Sequence, residues 1–179
     1  MFNLNDTIMV LVDVQGQLAQ VVSGKNDLHR SLEVLVRGMK ALDVPLIWME
    51  QIPAKLGPTI EVLSRHLGDE TPIAKNSFSC CGEPGFMAAL KKSGKSQVVL
   101  AGIESHICVF QTAHDLIQKG YQVQVVSDCV SSRTEANKNV GLERIRSLGG
   151  EITSVEMLFF ELMRDTDCSG FRDIVKLIK

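Results

Sequence analysis

The fold is decided by residues 97–118, which have the sequence QVVLAGIESHICVFQTAHDLIQ. Gln97 to Ile103 form a mostly apolar, β-branched run, which is typical of a strand buried on both faces. From Cys108 to Gln118, apolar residues recur at the three-and-four spacing of a helix that buries one face. A strand that leads through a short turn into a helix is the repeating unit of an α/β fold.

The same alternation extends over the rest of the chain. Four other runs of strand length, the last of them weaker, are Thr7 to Val14, Pro45 to Met49, Gln122 to Ser127 and Glu151 to Ser154. Helical spacing is found between them, from Asp27 to Leu42 and from Glu135 to Leu148. Because parallel strands joined by right-handed crossovers carry helices on both faces, we predict a three-layer, doubly wound α/β sheet that is mostly parallel.

The segment from Gln51 to Gly85 is the least regular part of the chain. Four prolines interrupt it, and we expect only one short helix there, from Thr59 to His66. No linker or internal repeat divides the sequence, so we expect residues 1–179 to form a single domain. The irregular segment is expected to border the functional site.

The composition is that of an ordinary globular protein and argues against two kinds of partner. Nineteen basic residues are scattered among 21 acidic ones, for a net charge of -2. Because no basic patch results, we expect neither nucleic acid nor an anionic membrane surface as a partner. The opening residues do not resemble a signal or transit peptide, and no apolar stretch approaches the ~20 residues of a membrane span. We therefore expect a cytoplasmic protein.

The cysteines and histidines show no pattern of a metal site. The five cysteines lack C-x-x-C spacing, and the cytosol would keep them reduced. The four histidines also lack ligand spacing, so we predict no metal and no cofactor. A redox module built on Cys80, Cys81 or Cys129 is an open alternative, although ordinary packing of these thiols is favoured.

Polar residues at strand ends are candidates for the site, because ligands of open α/β sheets bind beyond the carboxyl ends of the strands. Asp13 ends the first predicted strand, and Asp128 ends the fourth. In the first turn of a helix, Cys108 would face unpaired amides and the positive end of the helix dipole, which favour the thiolate. Cys108 is therefore a candidate nucleophile, and a buried structural thiol is the alternative.

Several motifs, in this order, resemble those of the isochorismatase-like cysteine hydrolases. They are LVDVQ at Asp13, AKNSFSC at Lys75, AGIESHICVFQTA at Cys108, and SDCVSSRT followed by GGEITSVEMLFFEL. The resemblance runs from about Ile8 to Arg164. It is strongest to the metal-independent, isochorismatase domain-containing branch, because WMEQIPAKLG stands where the nicotinamidase branch carries a metal cluster.

The resemblance implies a catalytic triad of Asp13, Lys75 and Cys108. Asp13 would accept the thiol proton, Lys75 would hold the carboxylate and stabilise the thiolate, and Cys108 would attack a carbonyl carbon. A cis peptide bond between Ile103 and Glu104 is also implied, with an oxyanion hole formed by the backbone N–H groups of Glu104 and Cys108. The cysteine indicates a small amide or related acyl substrate rather than isochorismate itself.

The surroundings of these motifs supply candidates for a substrate pocket. They are Gln15, Trp48, Gln51, Phe78, Ser105 and His106. Trp48 and Phe78 would form an apolar wall, although packing in the strand core explains Trp48 equally well. His106 would contact substrate or face solvent, and the carboxylate of Glu104 would alter the preference for substrate charge or point into solvent.

A C-terminal apolar cluster of Phe159, Phe160 and Met163 suggests core packing or a subunit interface. The family resemblance favours a homo-oligomer. A second function on the same fold is therefore kept open, that of a catalytically silent, oligomeric interaction protein.

Overall fold

The computed structural model describes residues 1–68 and 71–179. The strands of this part are β1 (Thr7–Val12), β2 (Leu46–Gln51), β3 (Ile73–Lys75), β4 (Gln97–Ile103), β5 (Gln122–Ser131) and β6 (Glu151–Thr153). They form one sheet in the order β3-β2-β1-β4-β5-β6, and every described pair of strands is parallel. The predicted doubly wound α/β fold is confirmed.

Helices cover both faces of the sheet. Those of the described residues are α1 (Leu18–Val21), α2 (Lys25–Ala41), α3 (Pro53–Leu56), α4 (Glu61–Ser64), α5 (Pro84–Ser93), α6 (Phe110–Gln118), α7 (Glu135–Ser147), α8 (Val155–Met163) and α9 (Phe171–Leu177). A 3-10 turn at Cys80–Gly82 and a π-helical turn at Ser105–Val109 join them. Within this part of the chain, every helix is too short or too polar to cross a membrane.

The two faces of the sheet carry separate apolar cores, because successive strand residues point to opposite sides. Leu11 and Val99 pack with the buried side chains of α2, α8 and α9 on one face. Val10 and Leu100 pack with those of α5, α6 and α7 on the other face. The strands are therefore covered on both sides, which explains their continuous apolar sequences.

Strand β3 was not predicted. It has only three residues, lies in the proline-rich segment and pairs with β2 alone. A run this short has no measurable hydrophobic period. Its position matters, because Lys75 is its last residue and pairs in register with Gln51, the last residue of β2.

The fourth predicted strand is β5 in the structure, and the prediction that it ends at Asp128 is wrong. β5 continues to Ser131, because the ladder with β4 shifts register and resumes beyond an irregular stretch. Asp128 lies in that stretch, and its carboxylate accepts a hydrogen bond from the backbone N–H of Val155 at 3.0 Å. It thus caps the start of α8 and takes no part in the candidate site.

The C-terminal apolar cluster divides between the core and the surface. Phe159 and Met163 are buried, and the ring of Phe159 packs so closely on Gly38 of α2 that a Cβ there would lie 2.1 Å from it. Phe160 is exposed, as is Met157 on the same helix. The core interpretation is correct for two residues, and the exposed pair is available for an interface.

The strand order reverses its direction between β1 and β4, which is where a doubly wound sheet leaves a crevice for ligands. Asp13 follows β1 and Glu104 follows β4. Gly102 brings these two strand ends together, because its φ is +125° and a Cβ would lie 2.0 Å from the carbonyl oxygen of Val12. No residue with a side chain fits this position without moving the backbone.

Candidate active site

Asp13 and Lys75 form a buried ion pair at the carboxyl ends of β1 and β3. Lys75 Nζ donates a hydrogen bond to Asp13 Oδ2 at 2.6 Å. Asp13 has a positive φ of +51°, so the chain turns sharply as it leaves β1. Either charge alone would be costly to bury, and each is tolerated here because the other compensates it.

The ammonium group of Lys75 is fixed by three further acceptors. They are Gln51 Oε1 at 2.7 Å and the carbonyl oxygens of Phe78 at 3.0 Å and Ser77 at 3.2 Å. Hydrogen bonds from a charged donor are stronger than neutral ones. Lys75 therefore holds the carboxylate of Asp13 in one orientation, and the predicted role of the lysine in positioning that group agrees with the geometry.

Cys108 lies in the π-helical turn that precedes α6, not in the first turn of the helix as predicted. The turn is closed by the backbone N–H of Val109, which donates to the carbonyl oxygen of Glu104 at 3.2 Å. Helix α7 packs against its outside, where a Cβ on Gly141 would lie 2.7 Å from the carbonyl oxygen of Ser105. Backbone geometry and helix packing therefore position the thiol, which belongs to a residue only 8% exposed.

The thiol and the carboxylate are neighbours. Asp13 Oδ1 is buried, and no N–H or O–H group of the described residues donates a hydrogen bond to it. Burial raises the pKa of Asp13 above 3.8, while Lys75 and the thiol of Cys108, as hydrogen-bond donors, lower it. Oδ1 is therefore the acceptor that Lys75 leaves free for the proton of Cys108.

The surroundings of Cys108 oppose the effect predicted for the helix dipole. Burial is the largest cause that raises the pKa of this thiol well above its usual range, and the charge of Asp13 raises it further. The charge of Lys75 acts in the opposite direction but does not prevail. Cys108 is thus a buried thiol beside a carboxylate, which is a group able to accept its proton.

The peptide bond between Ile103 and Glu104 is cis. The side chain of Glu104 is only 7% exposed, and its Oε1 accepts hydrogen bonds from both the backbone N–H and Nε of Arg133 at 3.1 Å. The interpretation in which this carboxylate points into solvent is therefore wrong. The backbone N–H groups of Glu104 and Cys108 belong to the same turn, and their joint role as an oxyanion hole stays a prediction.

Two of the predicted pocket residues have structural contacts instead. Gln15 is fully buried, donates to the carbonyl oxygen of Gly57 at 2.7 Å and accepts from the backbone N–H of Gln51 at 2.7 Å. Trp48 packs against the core on the α2 face, and its Nε1 donates to Thr59 Oγ1 at 2.7 Å. Trp48 also borders an outer cavity of about 630 Å³ beside Glu50.

Among the other four candidates, Gln51 is the acceptor for Lys75 described above. Phe78, Ser105 and His106 differ in exposure. The ring of Phe78 is 56% exposed, while its carbonyl oxygen binds Lys75, so it forms no common wall with Trp48. Ser105 is fully buried, and its Oγ has no partner among the described residues. His106 is half-buried, and its Nδ1 lies 3.0 Å from Ser132 Oγ, so it neither points freely into solvent nor lies unpaired.

The thiols of the redox alternative are fully buried or half-buried. Burial raises the pKa of Cys80 to about 12 and that of Cys81 to about 11. Cys129 is fully buried, and burial raises its pKa well above 9.0. High pKa and burial both slow the reactions of a thiol, which disfavours the redox module.

The described residues contain no cluster of potential metal ligands. Residues 1–68 and 71–179 bring together no group of three or more His, Cys, Asp or Glu side chains that could hold a metal ion. The carboxylate of Asp13 is instead occupied by an ammonium group. Activity without a metal or cofactor stays a prediction.

Two residues of this region were missed from the sequence. Arg133 follows the predicted strand end in SDCVSSRT, and that placement alone was a usable signal. Gly141 lies inside a predicted helix, where its contact with the turn of Cys108 depends on how two distant helices pack. No local pattern carries that information.

The comparisons with known proteins agree on a family. A family model described as "Isochorismatase domain" matches residues 7–157. The chain is 37% identical to a protein of Phytophthora sojae named "Secreted isochorismatase effector Isc1", over 98% of this chain and 85% of that protein. This similarity extends over nearly the whole sequence.

Solved structures share the fold. A structure described as the MAR1 ribonuclease of Caenorhabditis elegans has a TM-score of 0.93 and 32% identity, over 99% of this chain and 91% of that chain. The YcaC gene product of Escherichia coli has a TM-score of 0.92 and 24% identity, over 98% and 89% of the two chains. It is described as an octameric hydrolase of unknown specificity.

Proposed function

The chain belongs to the isochorismatase family, and from that premise we propose that it is a cysteine hydrolase of small amides or related acyl compounds. The observation that carries the proposal is the position of Asp13. One carboxylate oxygen is held by Lys75 at 2.6 Å, no N–H or O–H group of the described residues donates to the other, and the thiol of Cys108 neighbours the carboxylate. A nucleophile, its base and a group that orients the base are thus adjacent.

In the first half of the reaction, Cys108 becomes covalently attached to the substrate. Asp13 takes the thiol proton while sulfur forms a bond to the carbonyl carbon, whose π electrons move to oxygen. The backbone N–H groups of Glu104 and Cys108 would stabilise that oxyanion. When the carbonyl re-forms, the carbon–nitrogen bond breaks, and the departing amine takes the proton from Asp13.

In the second half, water releases the acyl group. Asp13 removes a proton from water while the water oxygen bonds to the thioester carbon, and the carbon–sulfur bond then breaks. Cys108 recovers its proton from Asp13, so the site returns to its starting state. Lys75 keeps the carboxylate oriented in both halves.

An amide fits this arrangement better than the carbon–oxygen bond of isochorismate. An amine is a poor leaving group until it is protonated, and the burial that raises the pKa of Asp13 makes its carboxyl group a competent acid after it has taken the thiol proton. The isochorismate reaction needs no nucleophilic thiol, whereas here a cysteine lies beside its base.

The proposal is tested on a panel of small amides with matched cysteine variants. Cys108→Ala should abolish turnover without changing the melting temperature by more than a few degrees, and Asp13→Asn should reduce turnover at least about a hundredfold. Cys81→Ala is the control, because it removes a half-buried thiol of similar size. Intact-protein mass spectrometry should detect an acyl adduct on the wild type and on Cys81→Ala, and none on Cys108→Ala.

Two outcomes of that experiment separate the alternatives. Turnover that survives Cys108→Ala would contradict the cysteine mechanism. No turnover and no adduct in the wild type would favour the catalytically silent interaction protein.

An RNA substrate is included because the C. elegans relative is described as a ribonuclease. We expect no cleavage of RNA. Activity should also survive dialysis against EDTA, because side chains and water perform every proposed step.

We also infer that the protein forms a homo-oligomer. Two observations support this: Met157 and Phe160 are exposed together on α8, and the E. coli structure is described as octameric. Light scattering coupled to size-exclusion chromatography should give a multiple of 19.7 kDa. A cytoplasmic location also stays a prediction, because the P. sojae relative is named as secreted. Cell fractionation would test it.

A further inference from the structure

An ion pair joins the chain segments that follow β4 and β5. Glu104 Oε1 accepts from the backbone N–H and from Nε of Arg133, both at 3.1 Å. The two side chains differ in exposure, since Glu104 is 7% exposed and Arg133 is 58% exposed. The buried carboxylate therefore fixes the inner edge of an exposed guanidinium group.

The outer edge of that guanidinium group is not used. Among residues 1–68 and 71–179, Nη1 and Nη2 of Arg133 donate to no protein acceptor, whereas Nε donates to Glu104. A guanidinium group presents its donors in a rigid plane, so fixing one edge also aims the other. Two parallel N–H groups are the arrangement that binds a carboxylate with two hydrogen bonds.

Arg133 lies beside the turn that carries Cys108. Its anchor, Glu104, closes that turn through its carbonyl oxygen, which accepts from the backbone N–H of Val109. The neighbouring residue Ser132 contacts His106 of the same turn at 3.0 Å. Both links join the carboxyl ends of β4 and β5, which is the edge of the sheet where ligands bind.

Of the two paired cations at this edge of the sheet, Lys75 and Arg133, only Arg133 has an exposed side chain. Lys75 is buried, and its ammonium group already has four acceptors. The carboxylates of Asp13 and Glu104 balance the formal charges of Lys75 and Arg133, but Arg133 keeps N–H donors that have no protein acceptor among the described residues. A substrate with a negative group would therefore be drawn to Arg133.

We propose that Arg133 binds a carboxylate of the substrate, so that the enzyme selects small amides that also carry an acidic group. The assignment rests on the proposed function and specifies the substrate class of that site. Glu104 is then a positioning residue, which acts through Arg133. Its negative charge also weakens the binding of anions, so the pair admits an acidic substrate without holding the acidic product tightly.

The test uses two alkylating reagents of nearly equal size, iodoacetate and iodoacetamide, which differ in one negative charge. The rate of labelling at Cys108 is measured for each by peptide mass spectrometry, and the ratio of the two rates is compared among variants. Arg133→Gln should lower the iodoacetate-to-iodoacetamide ratio roughly tenfold. Glu104→Gln keeps an acceptor for Arg133 and removes a negative charge, so the ratio should rise.

Two control variants and one internal reference keep the experiment decisive. Arg133→Lys retains the charge and should preserve part of the ratio, and it carries the test if Arg133→Gln does not fold. Arg146→Gln removes an exposed arginine of α7 and should leave the ratio unchanged. The ratio at Cys81 serves as an internal reference within each sample.

The outcomes distinguish the two levels of the account. An unchanged ratio in Arg133→Gln, while the wild type still hydrolyses amides, overturns the assignment of Arg133 and leaves the hydrolase intact. If neither reagent labels Cys108 and no amide is turned over, the proposed function is removed and this inference with it. A second readout is KM for succinamic acid against its uncharged analogue butanamide, which Arg133→Gln should raise only for the acid.

Discussion

The two halves of the candidate site are held in place in different ways. On the side of Asp13 and Lys75, charged groups are buried at strand ends and fixed by short hydrogen bonds, which include the side chain of Gln51. On the side of Cys108, the backbone of the Ser105–Val109 turn and the packing of Gly141 against it determine where the thiol lies.

The difference teaches which kind of substitution each half tolerates. The carboxylate side depends on charge balance, so it should tolerate changes of shape better than loss of a partner. The thiol side depends on steric fit, so it should tolerate loss of a polar group better than addition of a methyl group. The comparison would be contradicted if the carboxylate side proved more sensitive to changes of shape and the thiol side more sensitive to loss of a polar group.

The largest effect is expected for Lys75→Met, which keeps the approximate length of the side chain and removes its charge. Asp13 is then a buried carboxylate without its partner, so the free energy of unfolding near pH 7 should fall by about 3–5 kcal/mol. Burial already raises the pKa of Asp13, and loss of the lysine raises it further. Protonation relieves the unpaired charge, so stability should recover as the pH falls through that raised pKa.

The control for this variant is the double substitution Lys75→Met with Asp13→Asn. Removing both charges should restore most of the lost stability in urea unfolding at pH 7, because no unpaired charge stays buried. A double variant no more stable than Lys75→Met would mean that the pair is not balanced as described.

A smaller effect is expected on the thiol side for Gly141→Ala. The new Cβ would lie 2.7 Å from the carbonyl oxygen of Ser105, so the turn must shift, at a cost of about 1–3 kcal/mol. Alanine ordinarily stabilises a helix relative to glycine by about 1 kcal/mol. A loss of stability in thermal unfolding therefore reports the contact itself, and alkylation of Cys108 should slow with it.

Val140→Ala provides the matched control, since Val140 is the exposed neighbour in the same helix. It should leave the alkylation rate of Cys108 unchanged. Equal rates in Gly141→Ala and the wild type would show that α7 does not position the turn.

The smallest effect is expected for Ser105→Ala, although Ser105 is three residues from Cys108. Its Oγ is fully buried and makes no hydrogen bond within the described residues, so removing the hydroxyl removes no interaction. Stability should change by less than about 1 kcal/mol or improve. A loss of turnover with stability intact would instead assign Ser105 a direct contact with substrate.

The sequence predicted the alternation of strands and helices because both cores leave long apolar patterns in it. It did not predict β3, whose three residues are too short to show a period. Asp13, Lys75 and Cys108 were proposed through motifs, but the motifs did not reveal how strongly burial opposes ionisation of the Cys108 thiol. Its pKa depends on burial and on Asp13, which lies 95 positions away in the chain and contacts it only after folding.

The contacts of Glu104 and Gln15 were missed for the same reason. Both side chains are polar and stand next to functional motifs, which suggested a place in the pocket. Their hydrogen bonds to Arg133, Gly57 and Gln51 instead connect separate loops at the strand ends. Such connections depend on the register of the sheet, and the local sequence does not encode it.

The central claim, that Asp13 takes the proton of Cys108, is tested most directly by the pH dependence of iodoacetamide labelling. Burial raises the pKa of Cys81 to about 11, so its labelling rate should rise about tenfold per pH unit between pH 7 and 9. Over the same range, the rate at Cys108 should be nearly flat, because an ionised Asp13 removes the proton during attack. In Asp13→Asn, Cys108 should label more slowly and acquire the steep slope. A steep slope in the wild type, unchanged by Asp13→Asn, would contradict the account.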